Sequence, residues 1–238
     1  MNIEDSIALV TGANRGLGLE FTRRLLDRGA KAVYATARRP ETLEPLREEY
    51  GERVRPLRID VLDEDSILAA SAAAADITLL INNAGIATEN DIVSGDLTAL
   101  RAEMDTHFWG TVRMIRAFSP VLAANGGGAI VNVMSALSFL AHSGSGGYAA
   151  AKAAQWQATN SVRLELAAQG THVLGVHLAA TDTDMMAAYD IPKNSPADAV
   201  SRALAALEDG RFEVFDEQTA QIKAALSLPA EQIYADSL

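Results

Sequence analysis

Ser135 and Tyr148 stand thirteen positions apart, and Lys152 follows Tyr148 at i+4. An i, i+4 pair shares one helix face, so this spacing brings a phenol and an ammonium together. A phenol with a pKa near 10 exchanges protons poorly at neutral pH until a fixed positive charge lowers it. A hydroxyl held nearby, such as that of Ser135, can then orient a substrate carbonyl. Each residue alone has a plain structural explanation: a core tyrosine, a solvated lysine, a strand-end serine. Together they suggest proton transfer coupled to hydride transfer.

Hydride chemistry needs a dinucleotide, and a second motif supplies a place for one. Thr11-Gly12-Ala13-Asn14-Arg15-Gly16-Leu17-Gly18 closes the first apolar run and opens the first helical pattern. Gly12 permits a tight turn, Gly16 allows close approach of a pyrophosphate, and Gly18 lets the helix pack near the sheet. The helix N-terminus adds free N–H groups and a favourable dipole. The second strand ends Thr36-Ala37-Arg38-Arg39, without the acid that commonly holds an adenosine ribose in NAD sites. Arg38 and Arg39, with Arg15 in the turn, suit a 2′-phosphate instead and point to NADP(H). The competing explanation is a solvated basic surface pair.

Short apolar runs at Ser6–Thr11, Ala32–Ala37, Val54–Asp60, Ile77–Asn82, Ala129–Met134 and His172–Leu178 read as strands. Helical patterns at Leu17–Arg28, Glu41–Tyr50, Glu64–Ala75, Leu97–Ala124 and Tyr148–Gln169 separate them. This rhythm predicts an α/β fold, a doubly wound parallel sheet of the Rossmann type, in a single domain over 1–238. Beyond the last long run, Ala197–Leu207 and Gln218–Leu226 read as helices and Arg211–Phe215 as a short strand. Pro192–Pro196 reads as a mobile surface segment.

The bulk composition narrows the function classes. Of 238 residues, 49% are apolar, and the net charge is −11. That balance argues against nucleic acid and against anionic membranes as partners, because both require a basic footprint. Cysteine is absent, which excludes disulfides, thiolate nucleophiles and cysteine metal sites. No metal is expected. The acidic start Met1-Asn2-Ile3-Glu4-Asp5 does not resemble a signal peptide, so a cytoplasmic protein is the expectation.

With these residues in hand, the chain resembles the short-chain dehydrogenase/reductase family in its single-domain form. Thr11–Gly18 matches the family's TGxxxGxG turn, and Asn82-Asn83-Ala84-Gly85 matches its NNAG segment. Ser135, Tyr148 and Lys152 match its catalytic serine and YxxxK. The resemblance implies cofactor contacts from Gly12, Asn14, Arg15, Gly16, Leu17 and Gly18 in the turn, and from Arg38. It adds Asp60 and Val61 at the adenine, Asn83, Ala84 and Gly85 after the fourth strand, and Thr181 and Thr183 at the nicotinamide. Tyr148 and Lys152 would also contact the nicotinamide ribose. Family members usually form homodimers or homotetramers through two long helices, here within Met104–Ala124 and Ala149–Ala168.

Two departures from the family pattern stand out. His107 occupies the position of a catalytic asparagine that helps hold a water leading to the lysine. An imidazole there can share that role or simply pack. Leu178-Ala179 replaces a Pro-Gly pair ahead of Thr183, which itself can contact the carboxamide or cap a helix at Asp184.

The expected activity is NADP(H)-dependent interconversion of a neutral, fairly apolar ketone or aldehyde with its alcohol, with Tyr148 as general acid/base. A non-catalytic NADP-binding sensor on the same fold is the alternative, favoured by the two departures. Pocket walls are expected from Ala136, Leu137, Phe139, Leu140, His142 and Met185, with neighbours from Ala87–Val93.

Overall fold

The computed structural model describes residues 1–234. Seven parallel strands form one sheet in the order β3-β2-β1-β4-β5-β6-β7. They are β1 (Ile7–Val10), β2 (Ala32–Ala37), β3 (Val54–Arg58), β4 (Leu79–Asn82), β5 (Ala129–Ser135), β6 (His172–Leu178) and β7 (Glu213–Phe215). Central strands pack on both faces, so they are apolar at successive positions rather than alternating with polar residues. Ala8 and Val10 face one core with Phe21 and Leu25, whereas Leu9 faces the other with Phe118 and Ile67.

Helices cover both faces. α1 (Gly16–Asp27), α2 (Glu44–Tyr50) and α7 (Pro196–Glu208) pack on the first core. α3 (Glu64–Ala73), α4 (Leu97–Met104), α5 (Gly110–Ala124) and α6 (Gly146–Glu165) lie on the opposite side, and α8 (Glu217–Ala225) and α9 (Ala230–Ile233) close the chain. Phe118 and Leu122 of α5 are fully buried, and truncating either costs about 2–5 kcal/mol. Among the described residues no helix is long and apolar enough to cross a membrane.

Strand order reverses between β1 and β4, and a crevice opens beyond their carboxyl ends, as doubly wound sheets require. The expected long helix over Leu97–Ala124 contains a π turn at Asp105–Trp109, where an added residue re-aims the helix face. Pro192–Pro196 is tied down rather than loose. Thr181 bridges to Asn194, Asn194 N–H donates to the Ala180 carbonyl at 2.8 Å, and Ser195 caps α7.

Candidate active site

The glycine turn lies at the crevice because β1 ends there and α1 starts there. Gly12 and Gly16 hold φ of +66° and +53°, a region that favours glycine. Thr11 Oγ1 accepts the N–H groups of Asn83 (2.8 Å) and Ala84 (3.0 Å). Asn83 Nδ2 returns bonds to the Thr11 and Gly12 carbonyls at 2.9 and 3.3 Å, so the turn is stitched to the end of β4. α3, α7 and α8 begin under the side chains of Asp63, Ser195 and Asp216, but α1 has no side-chain cap and no acid in its first turn. Its leading N–H groups are left for an anion.

The turn forms one end of a cleft of about 1390 Å³. Gly12, Asn14, Arg15, Gly16, Leu17, Arg38, Asp60, Val61, Asn83, Ala84, Gly85, Thr181 and Thr183 all border it, as do Arg39 and Thr42. Gly18 does not, contrary to the sequence expectation of a cofactor contact. It lies beneath the turn, where a Cβ would come within 2.1 Å of the Gly12 carbonyl oxygen. Its smallness serves packing between helix and sheet.

The other end of the cleft holds Ser135 at the end of β5 and Tyr148 and Lys152 on α6. Lys152 Nζ sits 5.6 Å from the Tyr148 ring centroid, so the two groups share a face. Ser135 Oγ accepts the Leu137 N–H at 3.1 Å, which anchors the short helical turn that follows. Its hydroxyl also acts on Tyr148 in the direction that favours the phenolate. In the protein alone the net shift of the phenol is nevertheless upward, the reverse of the net lowering expected from the sequence. Burial pushes Tyr148 up to about 12, and Glu103 pushes in the same direction. Burial likewise brings Lys152 down to about 7, so the lysine is only partly charged at neutral pH.

His107 belongs to the π turn and is almost fully buried. Its Nε2 lies 2.7 Å from the Ile86 carbonyl oxygen, while Nδ1 has no partner. Burial, and then the nearby Lys152, hold it well below the usual histidine range, so the ring is neutral. It meets the Tyr148 ring edge-on at a centroid distance of 5.0 Å. A Cβ on Gly85 would come within 2.6 Å of His107 Cε1, so that glycine makes room for the imidazole. His107 therefore tethers the loop after β4 and packs beside the phenol.

Across the cleft, two contacts join its walls. Arg15 pairs with Asp184 at 3.5 Å, and Tyr189 donates to Glu89 at 2.7 Å. Thr183 starts a short helical turn at Asp184 without a side-chain cap, and its methyl group abuts Gly16. Ala136, Leu137, Leu140, His142 and Met185, expected as pocket walls, border the cleft, with Ala87 and Glu89. Phe139 does not. It follows a 3-10 turn over Ala136–Ser138 and stacks on His177 at 4.6 Å.

Comparison with known proteins now decides the family, since the family model described as short chain dehydrogenase matches residues 6–193. The chain belongs to the short-chain dehydrogenase/reductase family. A crystal structure of a short-chain dehydrogenase from Burkholderia cenocepacia in complex with NADP is 40% identical, with a TM-score of 0.94, covering 100% of this chain and 99% of that one. A short-chain dehydrogenase from Sphingobium yanoikuyae in complex with NADPH is 27% identical, with a TM-score of 0.81, covering 98% of this chain and 96% of that one. A 3-oxoacyl-[acyl-carrier-protein] reductase from Vibrio cholerae is 31% identical over 194 residues, 80% of this chain and 79% of the relative. For this dehydrogenase/reductase, the sequence missed Gln155, Thr111 and Glu103 beside the family residues. All three are buried polar residues, a property the fold reveals and the sequence does not mark.

Proposed function

We propose that this oxidoreductase interconverts a neutral, largely apolar ketone or aldehyde with its alcohol, with Tyr148 as general acid/base. The cofactor is NADP(H). The observation that carries the reading is that Ser135, Tyr148 and Lys152 occupy one end of a cleft whose other end is an uncapped helix start with three arginines. The residues present fit the dinucleotide: two glycines with positive φ admit its phosphates, and Arg38 suits the 2′-phosphate.

When bound, NADPH supplies the hydride for the carbonyl carbon. Ser135 orients the carbonyl oxygen by hydrogen bonding. Tyr148, protonated at neutral pH because its pKa is high, donates its phenolic proton to that oxygen. The Lys152 ammonium stabilises the phenolate as it forms. In the oxidising direction Tyr148 must first lose its proton, so that rate rises with pH.

Substrate polarity follows from the lining. The cleft's arginines all stand at the nucleotide end, and Glu89 and Asp184 are acids on the same lining as Ala136, Leu137, Leu140 and Met185. A carboxylate substrate would meet repulsion there and find no arginine to hold it, the buried Lys152 being engaged by Val133 and Gln155. The test is Tyr148→Phe, assayed by NADPH consumption over a panel of ketones and aldehydes. A loss of about 10²–10⁴-fold is expected for removal of a general acid. Activity within a few-fold of wild type would remove Tyr148 from that role, and NADPH binding without turnover of any carbonyl would favour a sensor.

A further inference from the structure

Lys152 is nearly fully buried, yet among the described residues no carboxylate pairs with it. Its Nζ donates to the Val133 carbonyl at 2.9 Å and to Gln155 Oε1 at 3.0 Å. Gln155 Nε2 in turn donates to Thr111 Oγ1 at 2.9 Å. Gln155 is 2% exposed and Thr111 7%. An ammonium offers only donors, so the Gln155 oxygen must face Lys152 and its amino group must face α5. Both ends of the amide are thus committed, and its rotamer is locked between two helices.

We propose that Gln155 is a positioning residue: a neutral amide, braced by Thr111, that aims the Lys152 ammonium at Tyr148 and supports its charge. The proposal rests on the reading of Tyr148 as the acid. The groups facing Lys152 come from three elements. β5 presents the Val133 carbonyl, α6 presents Gln155 and the Tyr148 ring, and the π turn presents neutral His107. Glu103 of α4 acts on Tyr148 rather than on Lys152. The amide oxygen therefore supplies the side-chain acceptor for the charge in a pocket whose burial opposes that charge.

A pair of substitutions of similar shape separates this role from packing. Gln155→Glu keeps an acceptor and adds a negative charge, whereas Gln155→Leu removes the acceptor. The readout is an NMR titration of ¹³Cε-labelled lysine, in which only Lys31, Lys152, Lys193 and Lys223 contribute and Lys152→Met assigns the signal. Expected is a Lys152 midpoint that moves to higher pH in Gln155→Glu and to lower pH in Gln155→Leu. The basic limb of carbonyl reduction should move in the same directions. A one-unit downward shift removes about tenfold of the charged form on the basic side of the midpoint, so Gln155→Leu activity should recover on acidification. A Lys152 midpoint unchanged in Gln155→Glu overturns the proposal, even where Gln155→Leu fails to fold. Midpoints that shift as stated in a protein that reduces no carbonyl would uphold the positioning role and reject the catalytic reading.

Discussion

Lys152 and Lys223 both reach from helices toward aromatic rings, but only Lys223 meets a carboxylate. Lys223 Nζ lies 4.7 Å from the Phe215 centroid, 5.3 Å from Phe139 and 5.5 Å from Trp156, and it bonds to Glu213. Trp156 Nε1 donates to the same carboxylate at 2.9 Å, while His177 approaches it at 3.5 Å. With His177, Lys223 and Trp156 around it, Glu213 is held at about 2. Lys152 has only amide and carbonyl oxygens, and burial brings it to about 7. A carboxylate ringed by Lys223, Trp156 and His177 fastens structure. A cation beside neutral acceptors stays poised to change charge, which suits a catalytic group.

Lys152→Met should break this contrast most strongly. Removing the charge beside Tyr148 is expected to lower carbonyl reduction by about 10²–10⁴-fold, read in steady-state kinetics with NADPH. The same variant should lose a pH dependence of stability. The unfolded lysine titrates near 10.5 and the folded one near 7, so the unfolded chain binds more protons between those values. Wild-type stability contributed by this group therefore rises with pH across that window. Urea unfolding at several pH values should show the slope in wild type and its absence in Lys152→Met.

Lys223→Met should act on the fold instead. Both partners are partly buried, so loss of the pair is expected to cost about 1–3 kcal/mol, between the surface and buried limits. Activity should stay within a few-fold, because Lys223 does not border the cleft. The depressed Glu213 contributes stability above its ordinary value of 4.5, and that contribution fades as pH falls toward 2. The difference between wild type and Lys223→Met in urea unfolding should shrink over the same range. Equal stability of the two proteins near neutral pH would end the view of this cluster as a fastening.

The smallest effect concerns the rate profile. Reduction by the wild type should decline as pH rises through about 7, where Lys152 loses its charge. Lys223→Met should leave that midpoint where it is, and a displaced midpoint would show that the two clusters communicate.

Most of the sheet was legible because parallel strands buried on both faces leave continuous apolar runs, and β2 and β6 begin and end where those runs do. The strand edges elsewhere shifted by a residue or two at polar neighbours. The short helix Ala230–Ile233 left no pattern long enough to read. At the site, Ser135, Tyr148 and Lys152 were legible through spacing, and the glycine turn through its required backbone. Phe139 was misplaced because its partners, Trp156, His177 and Phe215, are distant in sequence. Gly18 was legible as a packing glycine, while the cofactor contact that the resemblance added for it does not appear among the cleft's borders.

Local chemistry along the chain thus settled which groups meet along one helix face, where the backbone needs glycine, and which strand end lacks an acid. Those properties depend on neighbours a few residues away. Tertiary structure alone decided the charge state of Tyr148 and Lys152, the tether of His107 to Ile86, and the amide of Gln155 between two helices. Desolvation and long-range hydrogen bonds depend on what packs around a group, and residues distant in sequence supply that surrounding.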